Sequence, residues 1–172
     1  TLCCVSILSA QDSWVTTSNL EHGYSIEFPK TPALQSQQVP TEVGNLSMDY
    51  YMLDLSTDAS SKNLVYMSAY TTYPANESYS DEGLQNSMLD GSVDGAVKNI
   101  NGKLLSSEHI KFQGYRGRYA KISIYNDAYI VNLKNILVDN RLYFVQVITL
   151  KANDDNSDLK RFMTSFELIK RK

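Results

Sequence analysis

Between Gly23 and Pro29, Tyr24, Ile26 and Phe28 alternate with Ser25 and Glu27. A period of two predicts a half-buried strand, which Pro29 ends. The same logic predicts an edge strand at 14–17 and a more polar strand at 34–39 that stops before Pro40. Residues 46–55 and 62–73 form a hairpin with a loose polar loop at 56–61. In its second strand Val65, Met67 and Ala69 share one face, and Leu64, Tyr66, Ser68 and Tyr70 share the other.

The period then changes. Leu84, Met88, Leu89, Val93, Ala96, Val97 and Ile100 fall on one helical stripe, with Ser78 or Ser80 as the cap and Asp81 and Glu82 in the first turn. Gly91 and Gly95 lie one turn apart in this helix, and close packing on a sheet is the expected reason. Strand signals resume at 103–112, 114–125, 128–138 and 141–150, with Asp139-Asn140 as a tight hairpin connection. The last of these is apolar on both faces, which predicts a central strand covered on each side. Leu159, Phe162, Met163 and Phe166 then make a helical stripe over 157–166, and 167–169 adds a short strand. Hairpin-linked strands with one helix mid-chain and one near the end predict an α+β fold. It has one antiparallel sheet flanked by two main helices.

The first ten residues carry no charge and are rich in Leu, Ile, Val and Cys. They are expected to be the remnant of a secretory signal peptide cut between Ala10 and Gln11. The alternative is a short N-terminal strand. Cys3 follows Leu2 and Cys4 follows Cys3, so the small residues a lipidation signal wants before its cysteine are absent. On this reading residues 1–10 are removed and 11–172 form a single domain exported to the periplasm or beyond a bacterial cell. No cysteine remains after the cut, which removes disulfides, thiolate nucleophiles and Cys metal ligands. Sixteen Lys and Arg against nineteen Asp and Glu give a net charge of -3, unsuited to sequence-independent nucleic-acid binding. No run of about 20 apolar residues predicts a transmembrane segment.

Candidate chemistry is thin. Asp154, Asn156 and Asp158 match the start of a calcium loop, but Leu159 stands where Gly is needed and Ser165 where a bidentate Glu belongs. Capping of the last helix explains them better. Ser92 follows the first glycine of Gly91-Ser92-Val93-Asp94-Gly95 directly and lies in a helix, so the segment is no nucleophile elbow. His22 and His109 are far apart in sequence and are expected on the surface. Gly114 and Gly117 form no phosphate loop, and mark a bulge or the tight start of a strand. No catalytic residue, metal site or cofactor is assigned.

Tyrosine stands out, with twelve against five Phe and one Trp. Tyr66 and Tyr70 share a strand face, as do Tyr115 and Tyr119. These four are the candidate ligand or partner surface, because Tyr offers a wide apolar contact with a polar tip. A half-exposed antiparallel sheet would also use tyrosine this way.

The segment 23–29 with Pro32, the Gly114-Tyr115-Arg116-Gly117 run, Arg141-Leu142-Tyr143 opening a long strand, and Asp158 with Phe162, Ser165 and Phe166 together resemble the PsbP-like α/β/α sandwich superfamily. The resemblance spans nearly all of 11–172. It implies a binding or assembly protein, since that superfamily has no agreed catalytic centre, and it carries over no functional residues. The expectation is therefore an exported, non-catalytic module that recognises a protein partner or envelope component. The competing expectations are a small-ligand carrier and a hydrolase with a carboxylate-based site between sheet and helix.

Overall fold

Seven strands pair antiparallel in the order β3-β4-β5-β9-β8-β7-β6 in a computed structural model that describes residues 14–41, 43–75 and 79–170. The expected signal remnant 1–10, with Cys3 and Cys4, lies outside the described residues, as does Ser78. The strands are β3 (Ala33–Thr41), β4 (Gly44–Asp54), β5 (Asn63–Thr72), β6 (Lys103–Phe112), β7 (Tyr115–Ile124), β8 (Tyr129–Val138) and β9 (Arg141–Leu150). The central position predicted for the strand at 141–150 holds, because β9 is fourth of the seven. Its neighbour β8 is more buried still, with every residue from Ile130 to Val138 inside.

A second, smaller sheet was not foreseen. It comprises β1 (Val15–Asn19), β2 (Tyr24–Phe28) and β10 (Glu167–Leu168), with β2 in the middle. The alternation in β2 does what its period predicts: Tyr24, Ile26 and Phe28 are fully buried while Ser25 and Glu27 are half-buried. This small sheet and α2 (Ser157–Ser165) cover one face of the large sheet, and α1 (Glu82–Asn99) covers the other. The architecture is thus an α+β sandwich of three layers.

The α2 side holds the larger core. Phe162 meets Phe28 and Tyr66 edge-on, with ring centroids 5.0 and 5.1 Å apart. Tyr24 packs on Phe166 and Tyr143, at 5.6 and 5.7 Å. The Tyr143 hydroxyl donates to the His22 carbonyl at 2.5 Å, which ties the large sheet to the loop before β2. Asn156 caps α2 by accepting from the Asp158 and Leu159 amides at 3.1 and 3.0 Å. At the other end Lys134 reaches up from β8 and donates to the Met163 carbonyl, one of the four that a helix C-terminus leaves without an internal partner. The Lys134 ammonium also lies 4.8 Å from the Phe112 ring centre and 5.4 Å from that of Phe166.

Three local expectations need correction. Asp81, not Ser80, caps α1, accepting from the Leu84 amide at 2.7 Å. β3 runs through Pro40, which pairs with Asn45 on the edge of the sheet, where a residue without an N–H is tolerated. Gly91 and Gly95 do not mark close packing: a Cβ at either would meet nothing within 4 Å. A Cβ would instead collide at Gly117, with the Asn135 carbonyl oxygen of the neighbouring strand, and at Gly102, with the Ile122 side chain. Gly114, at φ +89°, follows Gln113 at φ 47°, so the two-residue β6–β7 hairpin turn needs left-handed backbone at both positions.

Three expected outcomes come from this fold. Phe162→Ala removes a fully buried ring shared by α2, β2 and β5, and should cost about 3–5 kcal/mol by urea denaturation. Leu105→Ala on the exposed edge strand β6 should change stability by under about 0.5 kcal/mol. Burial pushes the Lys134 ammonium down to about 8 from its ordinary 10.5. Between those two values the unfolded chain holds a proton that the folded chain has lost, so the contribution of this group to stability rises with pH. Below pH 8 it is charged in both states and its contribution is flat. Urea denaturation from pH 7 to 9.5 should therefore show wild type gaining stability relative to Lys134→Met as pH rises. The window stops short of pH 10, where tyrosines held protonated by burial, such as Tyr66 and Tyr119, pull the opposite way.

Candidate functional site

The four tyrosines singled out from sequence do not assemble into one surface. Tyr66 is 1% exposed, its ring edge-on to Phe162 and Trp14 and its hydroxyl accepting from the Asn63 amide at 2.7 Å. A partner surface that includes Tyr66 is corrected on this ground, because the covering helix takes the face that the partner would need. Tyr119 is half-buried, and its hydroxyl donates to Asn132 Oδ1 at 2.5 Å. Tyr115 reaches a solvent-facing groove, while Tyr70 is 6% exposed and contributes only the floor of a different one.

Tyr119 belongs to a polar cluster at the end of the α2 face. Asn132, fully buried on β8, donates to Asp154 Oδ1 at 2.9 Å, and Lys121 Nζ pairs with Asp154 Oδ2 at 2.6 Å. Burial works against the Asp154 carboxylate, yet the bonds from Lys121 and Asn132 outweigh it and hold its carboxyl below the usual range. Asp154 thus fixes the chain ahead of α2, while Asn156 caps the helix and Asp158 sits in its first turn. The three side chains that matched a calcium loop go to separate tasks. Among the described residues no three His, Cys, Asp or Glu side chains gather to hold a metal ion.

The groove at Tyr70 has a volume of about 660 Å³ and is lined by residues from the 19–22 loop, β3, β4 and β5. The Tyr70 hydroxyl donates to Asp49 Oδ2 at 2.8 Å, across the directly paired strand position. Hydrogen bonding from Ser36 and then from Tyr70 holds the Asp49 carboxyl below its ordinary range. Burial, reinforced by the Asp49 carboxylate, pushes the Tyr70 hydroxyl up. His22 stacks on the Tyr70 ring at 3.8 Å, so it is a wall of the groove and not the surface residue its sequence context suggests. His109, on the edge strand β6, is exposed as expected. Gln35 accepts from the Tyr50 hydroxyl at 2.9 Å, and Leu34 is 62% exposed at the rim.

The groove at Tyr115 has a volume of about 600 Å³ and lies between the start of α1 and the β6–β7 and β8–β9 turns. Tyr115 is 39% exposed. Arg116 pairs with Glu82 in the first turn of α1, and Gln85 donates to the Tyr79 carbonyl at 2.6 Å. Asn140 in the β8–β9 turn donates to the Tyr73 carbonyl at 2.7 Å.

His22, Asp49 and Arg116 were missed from sequence. Asp49 and Tyr70 meet only through the β4–β5 register, and the loose loop at 56–61 leaves that register unspecified in the chain. The one available signal was that Asp49 precedes an aromatic-rich run on a strand predicted to pair with the one that carries Tyr70.

No helix among the described residues is long and apolar enough to cross a membrane. No family description matches this chain, and no curated protein matches it. Solved structures do. Cyanobacterial PsbP (CyanoP) from Synechocystis sp. PCC 6803 superposes with a TM-score of 0.53 at 13% identity, covering 96% of this chain and 97% of that one. A protein of unknown function from Pseudomonas aeruginosa matches with a TM-score of 0.38 at 11% identity over 81% of this chain and 85% of that one, too distant to build on. The three layers described above and the near-complete overlap with the Synechocystis protein establish that this chain has a PsbP-like fold.

Proposed function

We propose that this chain is an exported, non-catalytic binding module that recognises a protein partner through the rim of its large sheet, with the exposed Tyr115 as the aromatic contact of one groove and Leu34 and Asp49 above a buried Tyr70 at the other. The observation that carries this reading is the form of the two grooves. Both open widely to solvent, and both lie where the covering layers stop. Small-molecule sites are instead concave and bury most of their ligand. Asp49 is unsuited to act as a general acid. It already accepts from Tyr70, and its lowered pKa is the reverse of what a general acid needs. Export rests on the apolar, uncharged run at 1–10.

A photocrosslinking residue placed at Gln35 or at Tyr115 tests the reading, with Thr164 on the exposed side of α2 as the control. In an extract of the source cells, one discrete adduct should form from at least one groove position and none from Thr164. Adducts from all three positions, or from none, would overturn it. A cell fractionation that finds the chain only in the cytoplasm would remove the export half.

A further inference from the structure

The two helices are held very differently. α2 buries Leu159, Phe162 and Met163 within nine residues. α1 is twice as long, yet only Leu89 and Val93 are fully buried. Met88, Ala96 and Val97 add only partly buried apolar contact, and polar contacts supply the rest. Asp90 accepts from Arg118 Nε at 2.6 Å, Ser92 Oγ accepts from Asn135 Nδ2 at 2.6 Å, and Glu82 pairs with Arg116. The Asp90 and Glu82 side chains are 46% and 69% exposed, so water replaces these contacts at little cost.

Docking also leaves polar atoms in deficit. Asn86 Oδ1 on α1 and Asn135 Oδ1 beneath it are buried without a hydrogen-bond partner. Each loses its hydration when the helix sits down and regains it when the helix lifts. The helix itself is weak, because Gly83, Gly91 and Gly95 lower its propensity, and Gly91 and Gly95 have no packing reason to be glycine. Beneath α1 lie two apolar patches, Ile122 with Leu133 and Leu137 with Leu142, separated on β8 by Asn135.

We propose that α1 is a detachable cover: it lifts from the β7–β8–β9 face and unwinds while the large sheet, α2 and the small sheet remain folded. Opening exchanges a thin apolar seam and three polar contacts for a hydrated helix segment, and it exposes the two apolar patches. The α2 side has no equivalent motion, since opening there would unmake the aromatic core.

Hydrogen exchange of the full chain near pH 7, in the regime where the rate reports the opening equilibrium, tests this. After correction for intrinsic rates, amides of α1 should exchange on the order of 100-fold faster than those of β8 and β9. Phe162→Leu, chosen because it keeps most of the buried volume, should speed exchange in β8 and β9 about tenfold while leaving α1 within about threefold of wild type. Gly91→Ala with Gly95→Ala should slow α1 exchange by about tenfold or more. Equal protection of α1 and the strands would overturn the proposal. So would α1 accelerating in step with the strands in Phe162→Leu, or α1 exchange unchanged by the glycine pair.

Discussion

Every residue of β8 from Ile130 to Val138 is buried, and three of them are polar or charged: Asn132, Lys134 and Asn135. A polar group inside a sheet sandwich costs several kcal/mol unless it finds a partner. Each of the three finds its partner on a different covering segment. Asn132 reaches Asp154 ahead of α2, Lys134 reaches the C-terminal turn of α2, and Asn135 reaches Ser92 on α1. The positions of the covers are thereby set from one strand. Apolar contact alone would let a helix slide by a turn at small cost. The three hydrogen bonds are satisfied at only one register.

The two faces use this pinning to different ends. On the α2 side, Lys134 adds to an aromatic core that would hold without it, and its hydrogen bond closes a helix end that Phe112 and Phe166 shield from water. On the α1 side, the Asn135 to Ser92 bond and the Arg118 to Asp90 pair supply much of the attachment, over a seam with few fully buried residues. Here Asn135 satisfies its amide nitrogen and strands its oxygen. A net hydrogen bond contributes about 1 kcal/mol, and an unmade buried one costs about as much or more. Asn135 therefore determines where α1 sits without adding much to how firmly it sits there.

Much of this layout was legible in the chain, because the periods are clean where an element has one wet face. β2 alternates without exception, α2 has a single stripe, and β9 is apolar on both faces as a central strand must be. Legibility failed where structure depends on what is brought alongside. The strands at 14–17 and 167–169 were expected, but not that they leave the large sheet, because both are short and only their pairing with β2 sets them in a sheet of their own. Gly91 and Gly95 read as a packing signal, while a steric reason exists at Gly117, whose need comes from a carbonyl one strand away. Tyr66 and Tyr70 sit four residues apart on the same face, so sequence gives them equal standing. The end of α2 falls between them: Tyr66 lies under Phe162, and Tyr70 lies beyond it under His22.

That boundary is the physical reason to look for function at the rim. A seven-stranded sheet is wider than one helix and one three-stranded sheet can cover, so the edge strands β3 and β6 extend past their covers and stay largely exposed, and β4 is half-buried. Edge strands of this kind invite pairing with other chains unless they are blunted. Pro40 on β3 and Lys103, Glu108 and Lys111 on β6 provide such blunting, together with the irregularity between Leu104 and Ser106. What remains open at the rim is side-chain surface, as at Leu34 and Asp49 above Tyr70 and at Tyr115 with Arg116. The Tyr70 hydroxyl is held in place by the carboxylate across the strand pair. A surface fixed in advance loses little conformational entropy when it is covered, which is the condition for specific recognition by a small contact area.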